Sequence, residues 1–469
     1  MWRFSLVLFR RHLPSWSSVI LLTALAMLCC GLPLQLDAIY PEVAESYGRP
    51  DRSTPFANNV LFAWFALLAA LSPVFGLCTT AQRKDLRLLV ELGASRSQTV
   101  LTIAGQAMMS CAAGALIGLG LLRIVWQPIA ALVYRHYFPG WEIGDRVFSW
   151  SAQTSTLLWV CGGAMVPMFW QARKSMARLH RLDSGDGTGA RLGRLRVAAA
   201  VVVGALTCLS LYFTGFHQGQ VADPAARGRS ISFLLGMSVF ASLGLTSLCL
   251  LTGPRVYPRC IHLVNVLSLG DRRGSAGLGA RQAAFYARRY PSILAPVIVS
   301  CGVVGAFINT ALAVNAAFAQ TGQSLSGGGQ IGYFNLAVLF VPVYAISLAG
   351  GICAIVLTGR ERTRNYRTGL CSGVSRVGLY QQVLSEACAY LAGGFLMIAV
   401  VLSLLSAVVS RGIGQIMSVD IGWQFPGLFV ALNLGLFFVV ILLPLGYSCR
   451  SALRLDLGQG SRAAEAAAA

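Results

Sequence analysis

The chain has 469 residues, of which 56% are hydrophobic and only 12% charged, and its mean hydropathy is +0.66. A water-soluble chain of this length needs far more charge at its surface, so the composition excludes a soluble enzyme and indicates an all-α polytopic membrane protein. The net charge of +20, from 37 Lys and Arg against 17 Asp and Glu, would suit a nucleic-acid binder if the charges were clustered for it.

The opening MWRFSLVLFRRHLPSW places three arginines before the first apolar run, and no small-residue cleavage site precedes Leu36, so the first helix is expected to stay rather than be removed as a signal. About ten windows are long and apolar enough for a bilayer core, which takes ~20 residues each. They are Ser17–Leu36, Asn58–Thr80, Val100–Leu122, Ser151–Trp170, Val197–Phe216, Ile231–Leu251, Ser292–Ala313, Phe334–Leu357, Leu384–Ser410 and Phe425–Leu445. With the N-terminus inside, the outer loops carry eight basic residues (Arg49, Arg52, Arg123, Arg135, Arg146, Arg227, Arg229 and Arg411) and eight acidic ones. The positive excess is then wholly internal, as the positive-inside rule requires, and no nucleic acid is needed to explain it. Both termini are expected in the cytoplasm of a multi-pass protein of the cytoplasmic membrane.

The spans are arranged as 4 + 2 + 4. Residues 1–184 form a first four-span unit, 185–270 a linker with two extra spans, 271–460 a second four-span unit and 461–469 a tail. Each unit opens on an Arg pair followed within three residues by proline, Arg10 and Arg11 before Pro14, then Arg288 and Arg289 before Pro291. A proline there lets a surface-lying helix break and turn into the bilayer. The stretch Gly185–Arg196 reads as a flexible glycine-rich linker.

The segment RKDLRLLVELGASRS (Arg83–Ser97) lies between two spans, and RTRNYRTGLCSGVSRVG (Arg362–Gly378) returns in the same setting. At an offset of 280 residues, Arg87, Gly93, Ser95 and Arg96 fall on Arg367, Gly373, Ser375 and Arg376. Arg83, Arg87 and Glu91 recur every four residues, with Leu86, Leu89 and Val90 as the opposite stripe of an amphipathic helix. Gly93 is placed to end that helix, and Ser95 to cap the next one. Each copy reads as one short basic helix stopped by glycine.

RKDLRLLVELGASRSQ resembles the signature of the FtsX/MacB-type permease family of ABC transporters, whose members carry a pattern close to RRREIALLRALGASRRQ. YARRYPSILAPVIVS resembles the start of the family's membrane unit. The resemblance implies that these cassettes bind a separate ATPase subunit, in two copies, through Arg83, Leu86, Arg87, Leu89, Glu91, Gly93, Ala94 and Ser95, and through Arg367, Gly369, Leu370, Gly373 and Ser375. The second copy departs from the pattern, with Thr363 in the place of Arg83, Ser372 in the place of Leu92 and Gly378 in the place of Gln98.

A P-loop needs a lysine after glycine, in GxxxxGK[ST]. The only lysines are Lys84 and Lys174, preceded by Arg83 and Arg173, so no nucleotide site of that kind is encoded and the expected protein is a non-catalytic subunit whose partner binds ATP. The thirteen cysteines contain no CxxC, the five histidines no HxxxH or HxxE pattern, and a metal site is not expected. Glu386, with Gln106 at the corresponding place of span three, is an ionisable group at membrane depth, read as structural coupling to the cassette rather than a proton carrier. Asn309, Asn335 and Asn433 are expected to make interhelical hydrogen bonds, and Gly114, Gly118, Gly120, Gly393 and Gly394 to allow close helix contact. Trp141 and Trp150 read as an outer interfacial belt. The short outer loops, near Asp37–Ala57 and Arg123–Trp150, leave no room for an outer domain, so the expected cargo is a lipid, hydrophobic peptide or antimicrobial compound entering from the membrane. The alternatives are a non-transporting ATPase-coupled sensor or scaffold, and an ion-driven secondary transporter.

Overall fold

The structure is a computed structural model that describes residues 2–46, 57–137, 148–180, 188–216, 224–267, 274–290, 293–321 and 333–468. Trp141, Pro291 and linker residues 185–187 lie outside the described residues, as does the side chain of Asn335. Chain order runs α1 (Trp2–Arg11), α2 (Leu13–Ser46), α3 (Ala57–Ala81), α4 (Arg83–Glu91), α5 (Arg96–Tyr137), α6 (Trp150–His180), α7 (Thr188–Gly215), α8 (Pro224–Leu267), α9 (Ser275–Arg289) and α10 (Ala295–Val299). A π-helical turn at Ser300–Val304, four residues after Pro296, then leads into α11 (Gly305–Thr321), followed by α12 (Tyr333–Cys371), α13 (Arg376–Met417) and α14 (Gly427–Ala468). No strand occurs among the described residues.

Among the described residues nine helices are long and apolar enough to cross a membrane. Only helices that bond their own backbone, or closed barrels, survive in hydrocarbon, so this apolar, all-helical chain is a multi-pass membrane protein. The expected span Ser151–Trp170 lies within α6, which is 31 residues long but is not one of the nine, because its ends, SAQTST and QARKSMAR, are rich in polar side chains.

Helices outrun the spans expected for them. Much of the expected outer loop at Asp37–Ala57 is helical to Ser46, and that at Arg123–Trp150 is helical to Tyr137. The reason is a second apolar stripe at helical spacing: Leu36, Ile39 and Val43 of α2 bury against Leu122, Trp126, Ala130, Val133 and Tyr134 of α5. The Tyr134 hydroxyl donates to the Leu36 carbonyl at 2.6 Å. The expected flexible linker is likewise short, since α7 begins at Thr188 and carries its helix from the linker into the next span.

By its internal contacts the chain divides into two compact units. The first comprises Met1–Arg191 and Tyr333–Cys353, the second Leu192–Gly332 and Ala354–Ala469, so α12 is shared between them and α7 and α8 belong to the second.

In the first unit α2 and α5 run parallel and touch at small residues. A Cβ added to Gly114 would lie 1.9 Å from Thr23 Oγ1 and 2.5 Å from the Ile20 carbonyl, and one on Gly118 would lie 2.4 Å from the Ala24 carbonyl. Helices in lipid gain little from hydrophobic exclusion of one another, so this backbone approach is where their packing energy resides. In the second unit α13 is central. Gly393 receives Ile261 of α8, Gly412 lies against the Thr214 carbonyl of α7, and Asn309 of α11 donates to the Leu402 carbonyl of α13 at 3.3 Å. Asn433 bonds within its own helix, to Phe429, rather than across helices.

Gly114→Leu is expected to lower stability by about 2 kcal/mol or more through overpacking. Gly120→Leu, with no atom within 4 Å of its Cβ position, is expected to leave stability unchanged. Thermal unfolding midpoints in one detergent compare the two.

Candidate functional site

The first cassette is a separate helix. α3 ends at Ala81, Gln82 occupies a turn, and α4 runs from Arg83 to Glu91. Leu86 is buried with Ile103 of α5 and Ala172 of α6, and Leu89 and Val90 pack on that cluster. Leu86 therefore holds α4 to its own unit, while the exposed face presents Arg83, Lys84, Arg87 and Glu91 together with Leu88 and Leu92, which are 55% and 84% exposed. Arg87 Nε and Glu91 Oε1 pair at 2.8 Å on that face. Exposed pairs of this spacing add only ~0.3–0.5 kcal/mol, so the pair shapes the surface more than it stabilises the helix.

Gly93 ends α4 at φ +89°, a left-handed conformation that carries little penalty only without a Cβ. Its N–H bonds to the Val90 carbonyl and the Ala94 N–H to the Leu89 carbonyl, each at 3.0 Å, a Schellman ending. Ser95 then opens α5 reciprocally. Its hydroxyl accepts from the Gln98 N–H at 3.3 Å and its own N–H donates to Gln98 Oε1 at 2.9 Å, a capping box.

The second cassette has the same ending on a different stem. Gly373 sits at φ +90°, its N–H bonds to the Leu370 carbonyl, and the Val374 N–H bonds to the Gly369 carbonyl, each at 3.0 Å. Ser375 caps α13 by accepting from the Gly378 N–H at 3.0 Å, and glycine at 378 removes the return half of the box. Yet α12 runs unbroken from the span through Arg367, Gly369 and Leu370 to Cys371, where a separate short helix is expected from the sequence. Gly369, Leu370 and Arg367 are partly covered, and Ser375 is exposed.

The stem of this second cassette contains a charged cluster that the sequence only half reveals. Arg362 and Glu386 are both fully buried and form an ion pair. Arg362 also donates to Tyr390 Oη and Thr358 Oγ1, each at 3.2 Å, and its guanidinium stacks 4.1 Å from the centre of the Tyr286 ring. Glu386 accepts from the hydroxyls of Tyr366 and Tyr390, each at 3.1 Å. α9, α12 and α13 thus meet at one satisfied cluster, which agrees with reading Glu386 as a structural group bonded to the cassette.

Acidic residues in or beside the cassettes also hold the preceding helices. Asp85 pairs with His12 Nε2 at 2.5 Å and Arg11 Nη1 at 3.7 Å, tying the end of α1 to α4. Glu361 pairs with Arg289 Nη1 at 3.2 Å and accepts from the Tyr290 hydroxyl at 2.8 Å, tying the end of α9 to α12. Burial and the adjacent carboxylate push the Tyr290 phenol up to about 12, so it remains the donor throughout the neutral range. The sequence shows the Arg pairs but not these partners, because their ion pairs join residues more than seventy positions apart.

Among the described residues no group of three or more His, Cys, Asp or Glu is placed to hold a metal, and all thirteen cysteines are free. Fold and site define an all-helical, multi-pass membrane protein with two glycine-ended basic cassettes. No family model matches the chain, and no curated protein matches it.

Arg362→Ala or Glu386→Ala is expected to cost about 3–5 kcal/mol by stranding the buried partner, whereas Arg362→Met with Glu386→Leu recovers most of that loss. A double-mutant cycle on unfolding in lipid nanodiscs measures both.

Proposed function

We propose that this chain is the membrane subunit of an ATP-driven transporter, resembling the FtsX/MacB-type permeases, and that its two cassettes dock on two copies of a separate ATPase. The observation that carries this reading is the recurrence of one ending, a Schellman turn on glycine followed by a serine cap, after a basic helix in each half. The matching turns at a 280-residue offset also support an internal repeat within a 4 + 2 + 4 arrangement of spans. Both cassettes and both termini then face the cytoplasm, in the cytoplasmic membrane. The chain itself performs no catalysis and binds no nucleotide. Force from the ATPases enters at Arg83–Leu92 and Arg362–Cys371 and moves a hydrophobic or amphipathic substrate taken from the bilayer.

On this reading the contacts of the first cassette are its exposed residues Arg83, Lys84, Arg87, Leu88, Glu91 and Leu92. Leu86 acts from within, by holding the helix in place. The ion-driven alternative needs an intramembrane carboxylate free to exchange a proton. Glu386, the candidate such a transporter would have to use, is engaged by Arg362, Tyr366 and Tyr390, which weighs against it.

Co-purification with co-expressed ABC-type ATPase subunits from the same genome tests the proposal. Leu88→Glu with Leu92→Glu is expected to reduce bound ATPase at least tenfold without changing the yield of folded chain. Undiminished binding in that variant, and in Arg87→Glu with Gly93→Pro, would overturn it.

A further inference from the structure

The two cassettes end alike but are joined to their spans differently. We propose that the joint at Gln82, between α3 and α4, is a hinge, and that Gln82 and Gln106 are the uncharged counterparts of an Arg362–Glu386 latch that makes the second joint rigid.

The register that aligns the two glycine turns carries this comparison. At the same 280-residue offset Arg362 falls on Gln82, Glu386 on Gln106, Tyr390 on Ser110 and Tyr366 on Leu86. Thr358, which also bonds Arg362, falls on Cys78, so every residue of α12 and α13 that bonds in the second cluster is matched in the first unit by one without charge or phenol. Both glutamines remain buried, Gln82 at 1% and Gln106 at 0% exposure. Among the described residues neither the amide nitrogen nor the oxygen of either side chain has a partner. Ser110 turns back on its own helix, donating to the Gln106 carbonyl at 2.9 Å. Leu86 points into the apolar cluster with Ile103 and Ala172.

The backbone differs at the same place. α12 is one helix from Tyr333 to Cys371, straight through Arg362. In the first unit the helix stops at Ala81, Gln82 takes φ −93° and ψ 4°, and α4 restarts at Arg83 with no side-chain cap. So where the charged latch is present the helix is continuous, and where the amides stand it is broken. These are separate observations, one of side chains and one of main chain.

The physical link is directional strength. An ion pair with both partners further hydrogen-bonded fixes separation and angle together, because any opening leaves two buried charges unmet. Buried amides that bond nothing in the protein impose no such geometry, and water can serve them in more than one arrangement. What then holds α4 is Leu86 beneath it and the Asp85 contacts with Arg11 and His12 at its edge, where Arg11 is 71% exposed. Leu86 is the pivot, and the partly solvated Asp85 contacts are the ones that yield. In the second unit the Arg362 cluster ties the stem of α12 to α9 and α13, so cassette and span move as one body.

The inference does not depend on any ATPase, and its test uses the purified full-length chain in nanodiscs. Amide hydrogen exchange is read at the matched positions Leu88, Val90 and Leu92 against Thr368, Leu370 and Ser372. The Leu92 and Ser372 N–H groups make equivalent bonds, to the Leu88 and Thr368 carbonyls at 2.9 and 3.0 Å, so local helix-end fraying is comparable. In the unaltered chain the first set is expected to exchange at least tenfold faster. Gln82→Arg with Gln106→Glu is expected to slow the first set at least threefold. Arg362→Gln with Glu386→Gln is expected to speed the second set and leave the first alone. Equal protection of the two sets in the unaltered chain overturns the proposal, and so does a folded Gln82→Arg/Gln106→Glu variant with unchanged exchange. If that variant does not fold, the unaltered chain and the converse variant decide between hinge and rigid joint. Loss of ATPase binding in the docking test would leave this result standing, and the reverse holds too.

Discussion

A guanidinium and a carboxylate removed from water each lose several kcal/mol of hydration, and only close, well-directed partners offset that. Among the described residues the requirement is met with both partners fully buried at Arg362 and Glu386, where α9, α12 and α13 meet. Tyr286 comes from α9, Tyr366 from α12 and Tyr390 from α13, so three helices must reach the same point for the pair to be tolerated. The chain between the two charges leaves along α12, reverses at Gly373 and returns in α13. Both ends of that excursion are therefore fastened to each other, and the turn between them is held out as a closed loop.

The first unit solves the same construction problem with apolar material. Leu86 stands where the second unit has Tyr366, and the cassette rests on Ile103 and Ala172. Its spans are held by backbone approach at Gly114 and Gly118, where side-chain volume has been removed to let dispersion act at short range. Two chemistries thus support one surface feature, and the glycine-ended turn is common to both because its own backbone bonds satisfy it, whatever lies beneath.

Local features were the legible part of the sequence. The apolar windows, the glycine stops and the serine caps depend on residues within a few positions of each other, and each of the ten windows lies largely or wholly in a helix. Glu386 could be singled out because a carboxylate among apolar residues is conspicuous. Arg362 could not, since it is one of four arginines within eight residues, and nothing local separates the one that turns inward. The pairing of Asp85 with His12 was hidden for the same reason of distance along the chain. The full length of α2 and α5 is not legible locally, because Asp37 and Arg123 interrupt the apolar windows. The apolar stripe of Trp126, Ala130 and Val133 continues through them at helical spacing. The break at Gln82 and its absence at Arg362 had no signature at all, being decided by tertiary partners.

The long parallel pair in the first unit has a mechanical meaning of its own. α5 contains 42 residues, which at ~1.5 Å each reach roughly 60 Å, about twice the thickness of a hydrocarbon core. It begins at the capped turn after Gly93 and ends beside Tyr134, whose bond to Leu36 secures it to α2 at the far end. With glycine notches keying the two rods along their middle, neither can slide past the other without backbone collision. The pair therefore behaves as one stiff strut, since shear between its two rods would require the whole keyed contact to open.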